Sequence, residues 1–488
     1  MMYYHSTRSK NDRFTSKQAI LKGICSDGGL FVSDDILNAH VDINGLADST
    51  YEEIAYRVFR VLIPDYTDEE LKSCIGNAYV GKFETQELTP VTEIGDKYLL
   101  ELYHGPTSAF KDMALCMLPQ FMSKALSGTD KKIMILTATS GDTGKAALAG
   151  FANAENIGIT VFYPHGKVSD IQRLQMATQE GNNVFVAAVN GNFDDCQTGV
   201  KKIFREFSDE SMKEYGVELS SANSINVGRL VPQVVYYYES YRQLLKKGVI
   251  KEGDKISFCV PTGNFGDVLA GYYAKLLGLP IDRLLVASNE NNVLFDFIRT
   301  GIYDKNREFV KTISPSMDIL VSSNLERFLY YASGCDCDYV KELMEELSTT
   351  GKFTVNEKVL KNLQETFDCG FITNEDSKDA IKEAYNKDGR LIDPHTAVAY
   401  RCAEKIDGTV VILSTASPFK FAADVYNAIF DDLSDADGFT YMEKLSEKTG
   451  EEAPEPLKSL REKEIIHKSV VDIDDMKAFA EESIKKAF

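Results

Sequence analysis

An α/β protein built on parallel sheets is the fold class this sequence predicts, and two observations predict it. From about Lys131 onward, apolar runs rich in β-branched residues alternate with amphipathic stretches, the pattern of strands buried on both faces and joined by helices. Twice, a strand runs into a glycine-rich turn and then a helix: Lys132–Thr139 before SGDTGKAALAG, and Lys255–Val260 before PTGNFGDVLAGYYAKLLG.

Residues 1–98 are more helical, carry their own turn signals such as Asp27-Gly28-Gly29, and read as an N-terminal cap. Within residues 99–230, Lys132–Thr139 is a strand followed by a helix near Asp142. Ile159–Tyr163 is strand-like and Asp170–Gln179 helical. Val184–Val189 is a strand, and Asp194–Phe207 a helix with Val200, Ile203 and Phe207 on one face. These elements make one α/β domain. Residues 231–445 make a second, with strands at Lys255–Val260, Leu284–Ala287 and Thr409–Ser414. The charged, mostly helical stretch from about 302 to 388 reads as a peripheral insertion in it. Ser446–Pro456 (SEKTGEEAPEP) is a linker, and residues 446–488 close on an amphipathic helix at Met476–Phe488.

With 488 residues the chain is too long for one compact core. Its 54 Lys and Arg face 74 Asp and Glu, a formal charge of -20, which argues against nucleic-acid binding. An anionic ligand must therefore find local positive potential, from a few cationic side chains or from helix N-termini. Nine cysteines at irregular spacing argue against a disulfide framework and for a reducing compartment. Cys335 and Cys337 lack a second pair at zinc-site spacing, so no metal site is expected. No secretory leader and no membrane span are visible, and the expectation is a soluble cytoplasmic protein.

The turn after Lys132–Thr139 superficially resembles the phosphate loop of nucleotide hydrolases, but the pattern fails twice. Thr139 stands where the first glycine belongs, and Ala146 where the metal-binding hydroxyl belongs. A strand–glycine turn–helix junction is still a good anion site, and a second one contains Gly263 and Gly266. Together they imply a phosphorylated ligand. Between cap and first turn lies His104-Gly105-Pro106-Thr107-Ser108-Ala109-Phe110-Lys111-Asp112, followed by an apolar run. A lysine in such a setting is a candidate nucleophile, because burial lowers its pKa and a resting Schiff base holds its nitrogen covalently.

The run HGPTSAFKD resembles the cofactor-lysine motif of threonine synthases, which belong to the second fold type of pyridoxal-phosphate enzymes. Further motifs follow in the family's order: STR at Ser6–Arg8, SDGGLFV at Ser26–Val32, TSGDTGKAA, YPHGKVSDIQRLQM from Tyr163 and NFDDCQ from Asn192. NSINVGRLVPQ from Asn223, PTGNFGD from Pro261, SPSMDILVSSNLER from Ser314 and DPHTAVAY from Asp393 complete the series. The resemblance implies two parallel-sheet α/β domains with pyridoxal 5'-phosphate between them.

It also implies roles. Lys111 forms the internal aldimine and then shuttles protons. Gly263, Asn264, Phe265, Gly266 and Asp267 hold the cofactor phosphate. Asp142 and Thr143 lie near the cofactor oxygen and the substrate carboxylate, joined by Ser140. Asn223, Ser224 and Arg229 bind the substrate phosphate, and the Thr415 hydroxyl faces the pyridine nitrogen. The implied reaction converts O-phospho-L-homoserine and water to L-threonine and phosphate. A phospho-lyase on the same scaffold and a non-catalytic binding protein are the alternatives, and monomer and homodimer both stay open. Ser9, Val227 and Ser417-Pro418-Phe419 depart from common family residues, bearing on substrate fit rather than cofactor use. His395 reads as structural at a helix start after Pro394, whereas for His104 substrate contact and a structural role both stand.

Overall fold

The computed structural model describes residues 2–139, 141–207, 216–432 and 436–488. In the cap, β1 (Tyr4–Ser6), β2 (Ser9–Phe14) and β3 (Phe31–Val32) form an antiparallel sheet in the order β2-β1-β3. Helices Tyr51–Leu62 and Asp68–Tyr79 follow. Each starts at a threonine whose hydroxyl accepts the backbone N–H of a glutamate three residues on, while that glutamate reaches back to the threonine N–H. The Tyr79 hydroxyl donates to the Met113 carbonyl at 2.8 Å, fastening the cap to the lysine-bearing segment.

Two sheets carry the rest. β4 (Val91–Ile94) and β5 (Lys97–Glu101) form a hairpin; β6 (Lys132–Ala138), β7 (Ile157–Pro164), β8 (Val184–Val189) and β9 (Val217–Ser220) follow. Then come β10 (Ile256–Pro261), β11 (Ile281–Ser288), the small antiparallel pair β12 (Ile302–Asp304) and β13 (Lys352–Thr354), β14 (Phe367–Phe371), β15 (Val410–Ser414) and β16 (Ser469–Val471). The first sheet runs β16-β8-β7-β6-β9, all parallel. The second runs β14-β11-β10-β15-β5-β4, parallel except for the edge hairpin. β7 and β10 are buried at every residue. Helices on both faces exclude water, so their sequences read as continuous apolar runs rather than alternating ones. Among the described residues no helix is long and apolar enough to cross a membrane.

The parallel α/β architecture is the one expected; the expected borders need correction. The border at 98/99 falls inside β5, and that at 230/231 falls inside helix Val227–Lys246, which is buried along most of its length. The stretch 302–388 contains β14, a member of the second sheet, and is therefore not a detachable insertion. The border at 446 falls inside helix Gly438–Thr449, and the segment beyond it supplies β16 and helix Met476–Ala487 to the first sheet. Local periodicity reports that a strand exists; pairing partners far along the chain decide which sheet it joins.

Candidate active site

Lys111 opens the short helix Lys111–Leu115 at the end of a tightly bonded turn. Asp112 folds back to accept the Thr107 N–H at 2.7 Å and its hydroxyl at 2.6 Å, while Ser108 takes a positive φ of 56°. The turn is sewn to the second sheet: Phe110 N–H donates to the Thr415 carbonyl, and Ser417 N–H to the Ser108 carbonyl. Lys111 thus hangs between the two sheets.

Asp142 begins helix Asp142–Phe151, after β6 of the first sheet. Its Oδ1 meets Lys420 Nζ at 2.9 Å and accepts from Gln172 Nε2 at 2.9 Å. Its Oδ2 lies 3.8 Å from Lys111 Nζ and accepts the Ser316 hydroxyl at 3.4 Å. Burial alone raises the carboxyl, but Lys420, Lys111 and the Gln172 hydrogen bond outweigh it and hold the carboxyl well below the usual range. Burial likewise brings the Lys111 ammonium down to about 8, with Asp142 opposing and Lys420 and Arg229 assisting.

The turn Gly263–Gly266 follows β10 and leads into helix Gly266–Leu276, whose Asp267 feels the Lys111 charge. From behind, the Ser322 hydroxyl donates to the Gly263 carbonyl at 2.7 Å, and Asn324 donates to the Asn264 carbonyl through both its backbone N–H and Nδ2, each at 3.1 Å. Phe265 takes φ 63°, and a Cβ on Gly263 would stand 2.9 Å from the Ser316 carbonyl oxygen. With the carbonyls held back, the backbone N–H groups of Asn264, Phe265, Gly266 and Asp267 have no acceptor among the described residues. They stand at the N-terminus of helix Gly266–Leu276, an anion cradle by dipole and by donors.

Of the expected phosphate residues, Asp267 contributes only its N–H. Its carboxylate accepts Tyr236 Oη at 2.6 Å and Tyr237 Oη at 3.1 Å, and burial pushes it up to about 7 against those bonds and the Lys111 charge. Arg229 is buried without a carboxylate partner among the described residues. Its Nη1 donates to the Ala222 carbonyl at 3.1 Å, and burial lowers it to about 10. Asn223 and Ser224 form the turn before its helix; Asn223 Oδ1 accepts from Thr137 at 3.4 Å and the Ser224 carbonyl accepts from Asn324 Nδ2 at 3.3 Å. Thr415 is a buried residue, at 6% exposure, whose carbonyl accepts the Phe110 N–H, and Ser140 lies outside the described residues. Three buried atoms, Ser108 Oγ, Arg229 Nε and Asp267 Oδ2, have no partner among the described residues. Buried polar atoms seldom stay orphaned, so this donor set fits an anionic, polar cofactor.

Lys420, Gln172, Ser316, Ser322 and Asn324 all lie in or beside the sequence motifs, yet nothing in the sequence pattern gives them a role, and Lys420 stands there as a lone cation between Phe419 and Phe421. His395 is held at both ring nitrogens: its Nε2 accepts the Ser316 N–H at 3.1 Å, which places its proton on Nδ1 facing Asp393 Oδ1 at 2.7 Å. His104 Nε2 is 2.8 Å from Glu101 Oε2.

A buried lysine facing an anion cradle between two parallel sheets defines a class, the pyridoxal-phosphate-dependent enzymes, and the family described as "Pyridoxal-phosphate dependent enzyme" matches residues 85–415. The "Threonine synthase N terminus" family matches residues 3–79. Threonine synthase of Saccharomyces cerevisiae is 37% identical over 87% of this chain and 89% of its own length. Human threonine synthase-like 1 is 40% identical over 84% of this chain, which spans only 58% of that relative's length. The crystal structure of PLP-bound threonine synthase from Brucella melitensis superposes over 100% of both chains with a TM-score of 0.88 at 34% identity. The chain belongs to the threonine synthase family.

Proposed function

We propose that this chain converts O-phospho-L-homoserine and water to L-threonine and phosphate, as a lyase releasing phosphate from carbon. One observation carries the reading: two separate anion-receiving groups accompany the buried amine of Lys111, the N–H cradle at Asn264–Asp267 and the Arg229 guanidinium, which has no carboxylate partner among the described residues and whose charge acts on that amine. One suits the phosphate of the cofactor and the other that of the substrate.

Pyridoxal phosphate, when bound, supplies the electron sink that makes the substrate's α-proton acidic. Lys111 Nζ takes that proton and returns it to the α-carbon at the end. Asp142, fixed by Lys420, Gln172 and Ser316, orients polar groups beside the amine. The planar Arg229 guanidinium holds the departing phosphate with bidentate geometry that a lysine does not reproduce. Asn223 and Ser224 add donors at the same end, and Ser140 and Thr143 bind the substrate carboxylate. Thr415 offers a neutral hydroxyl to the cofactor ring nitrogen, which draws electrons less strongly than a carboxylate-paired ring would.

The test follows phosphate, threonine and 2-oxobutanoate together on the cofactor-loaded chain. Equal phosphate and threonine are expected, with Lys111→Ala lowering turnover by at least about 10^2–10^4-fold. Phosphate accompanied by 2-oxobutanoate would move the assignment to simple elimination, and no phosphate release would mean a different substrate.

A further inference from the structure

Two buried lysines share one carboxylate at the centre of the site, and they do not share it equally. Lys420 lies in the turn Pro418–Phe421 that follows β15 of the second sheet, whereas Asp142 follows β6 of the first. The Lys420 side chain is 0% exposed; its Nζ is 2.9 Å from Asp142 Oδ1 and donates to the Thr107 carbonyl at 2.9 Å. Lys111 Nζ stands at 3.8 Å from Oδ2, beyond hydrogen-bond length, with the Phe110 ring centroid 4.8 Å away.

A buried ammonium needs a counter-ion and acceptors, and a buried pair that loses one partner is strongly destabilised. Lys420 has both requirements met. The other charges facing Lys111 do not replace what Lys420 has taken. Arg229 and Lys420 repel its proton. Asp112 attracts it, but both its oxygens are occupied by Thr107. Asp267 is bonded by two tyrosines, and its own carboxyl is pushed up to about 7. Counting charges at contact distance, one carboxylate neutralises one ammonium, and the one it touches is Lys420.

We propose that Lys420 is a positioning residue for Lys111: reaching across from the second sheet, it takes Asp142 as its own counter-ion and so leaves the Lys111 amine to shed its proton to solvent and act as a neutral nucleophile. The lowering of Lys111 toward about 8 agrees in direction. The same contact explains why Lys420, Thr107 and Asp142 are built from three different loops. Lys420 closes the two lobes over the amine and tunes it in one stroke. The inference rests on the reading of Lys111 as the reactive amine.

The test titrates Lys111 in the full-length chain stripped of cofactor, by its rate of acetylation with trace acetic anhydride at a series of pH values, read on the Lys111 peptide by mass spectrometry. In Lys420→Met, Asp142 falls to Lys111 alone, and the Lys111 midpoint is expected to move up by about one to three pH units. Lys420→Arg keeps a cation on Asp142 and should restore most of the wild-type midpoint. Asp142→Asn should move it down, the opposite sign. Should Lys420→Met fail to fold, Lys420→Gln keeps a donor to Asp142 without the charge and reads the same shift. A Lys111 midpoint that stays in place in a folded, uncharged Lys420 variant overturns the proposal. Borohydride reduction of the cofactor-loaded wild-type chain, followed by peptide mapping, tests the underlying reading separately: label on a lysine other than Lys111 would sink that reading and leave the titration result standing.

Discussion

The two glycine-rich turns share a form in sequence, a strand, then a glycine followed directly by an aspartate at the start of a helix, yet their aspartates are held in opposite ways. Asp142 faces Lys420, Lys111 and Gln172, and its carboxyl is held well below the usual range. Asp267 faces two tyrosine hydroxyls and, among the described residues, no contacting cation, and burial pushes it up to about 7. The turns differ also in who consumes their donors. In the first, the Thr139 hydroxyl accepts the N–H of both Gly141 and Gly144. In the second, carbonyls are drawn back by Ser322 and Asn324 and the N–H row is left open. A strand–glycine–helix junction is therefore only a frame. The first sets a fixed negative charge beside the Lys111 amine; the second leaves a row of N–H donors open, with its own aspartate turned to two tyrosines and its charge disfavoured by burial.

Three variants break or sharpen that contrast. The largest effect is expected from Gly141→Ala. Gly141 sits at φ 147°, and a Cβ would stand 2.5 Å from the Gln172 amide carbon. Backbone strain and displaced packing together should cost on the order of 2–6 kcal/mol, measured by denaturant titration. Wild-type stability would show that the first turn is softer than its geometry. Next, Asn324→Ala removes the donor that links the Asn264 and Ser224 carbonyls. Losing it should cost about 1–3 kcal/mol, or roughly 5–150-fold in cofactor affinity, followed by cofactor fluorescence. An unchanged affinity would mean that the second turn holds its shape unaided.

The third variant is read in the pH dependence of stability. Asp267 binds its proton more tightly folded than unfolded, so the stability it confers is full below its unfolded value of 3.8 and is lost as pH rises to about 7. Asp142 has the reverse sign: its ion pairs stabilise above 3.8 and that contribution fades as pH falls below it. Asp267→Asn should therefore flatten the decline between about pH 4 and 7 in a series of thermal melts, while leaving the acid limb intact. A slope that survives the substitution would place the titrating group elsewhere.

Much of this site was legible in one dimension because its parts are local. HGPTSAFKD places a lysine after a turn that its own Asp112 closes, and PTGNFGD ends a strand and begins a helix. What stayed hidden depends on residues meeting from afar. Lys420 reads as a cation stranded between Phe419 and Phe421 until the fold brings Asp142 to it, and Asn324 becomes a clamp only because its loop passes behind residue 264. The direction of the Asp267 side chain was likewise invisible, since Tyr236 and Tyr237 belong to another helix. Sheet membership failed for the same reason: β5 and β14 have ordinary strand sequences, and their neighbours β15 and β11 lie far along the chain.

The lobes are threaded through each other rather than strung in series. The second sheet borrows its edge hairpin from residues 91–101, ahead of the whole first sheet, and the first sheet takes its own edge from residues 469–471, where Asn190 reaches Asp472 across 282 positions. Neither lobe is a continuous stretch that can be excised and expected to fold. Because such distant pairings must be closed before they reward the chain, assembly should be slow and highly cooperative. An unfinished chain would hold Lys111 in a half-built cleft, whose surroundings are complete only when residues 91–101 and 469–471 have both been drawn in.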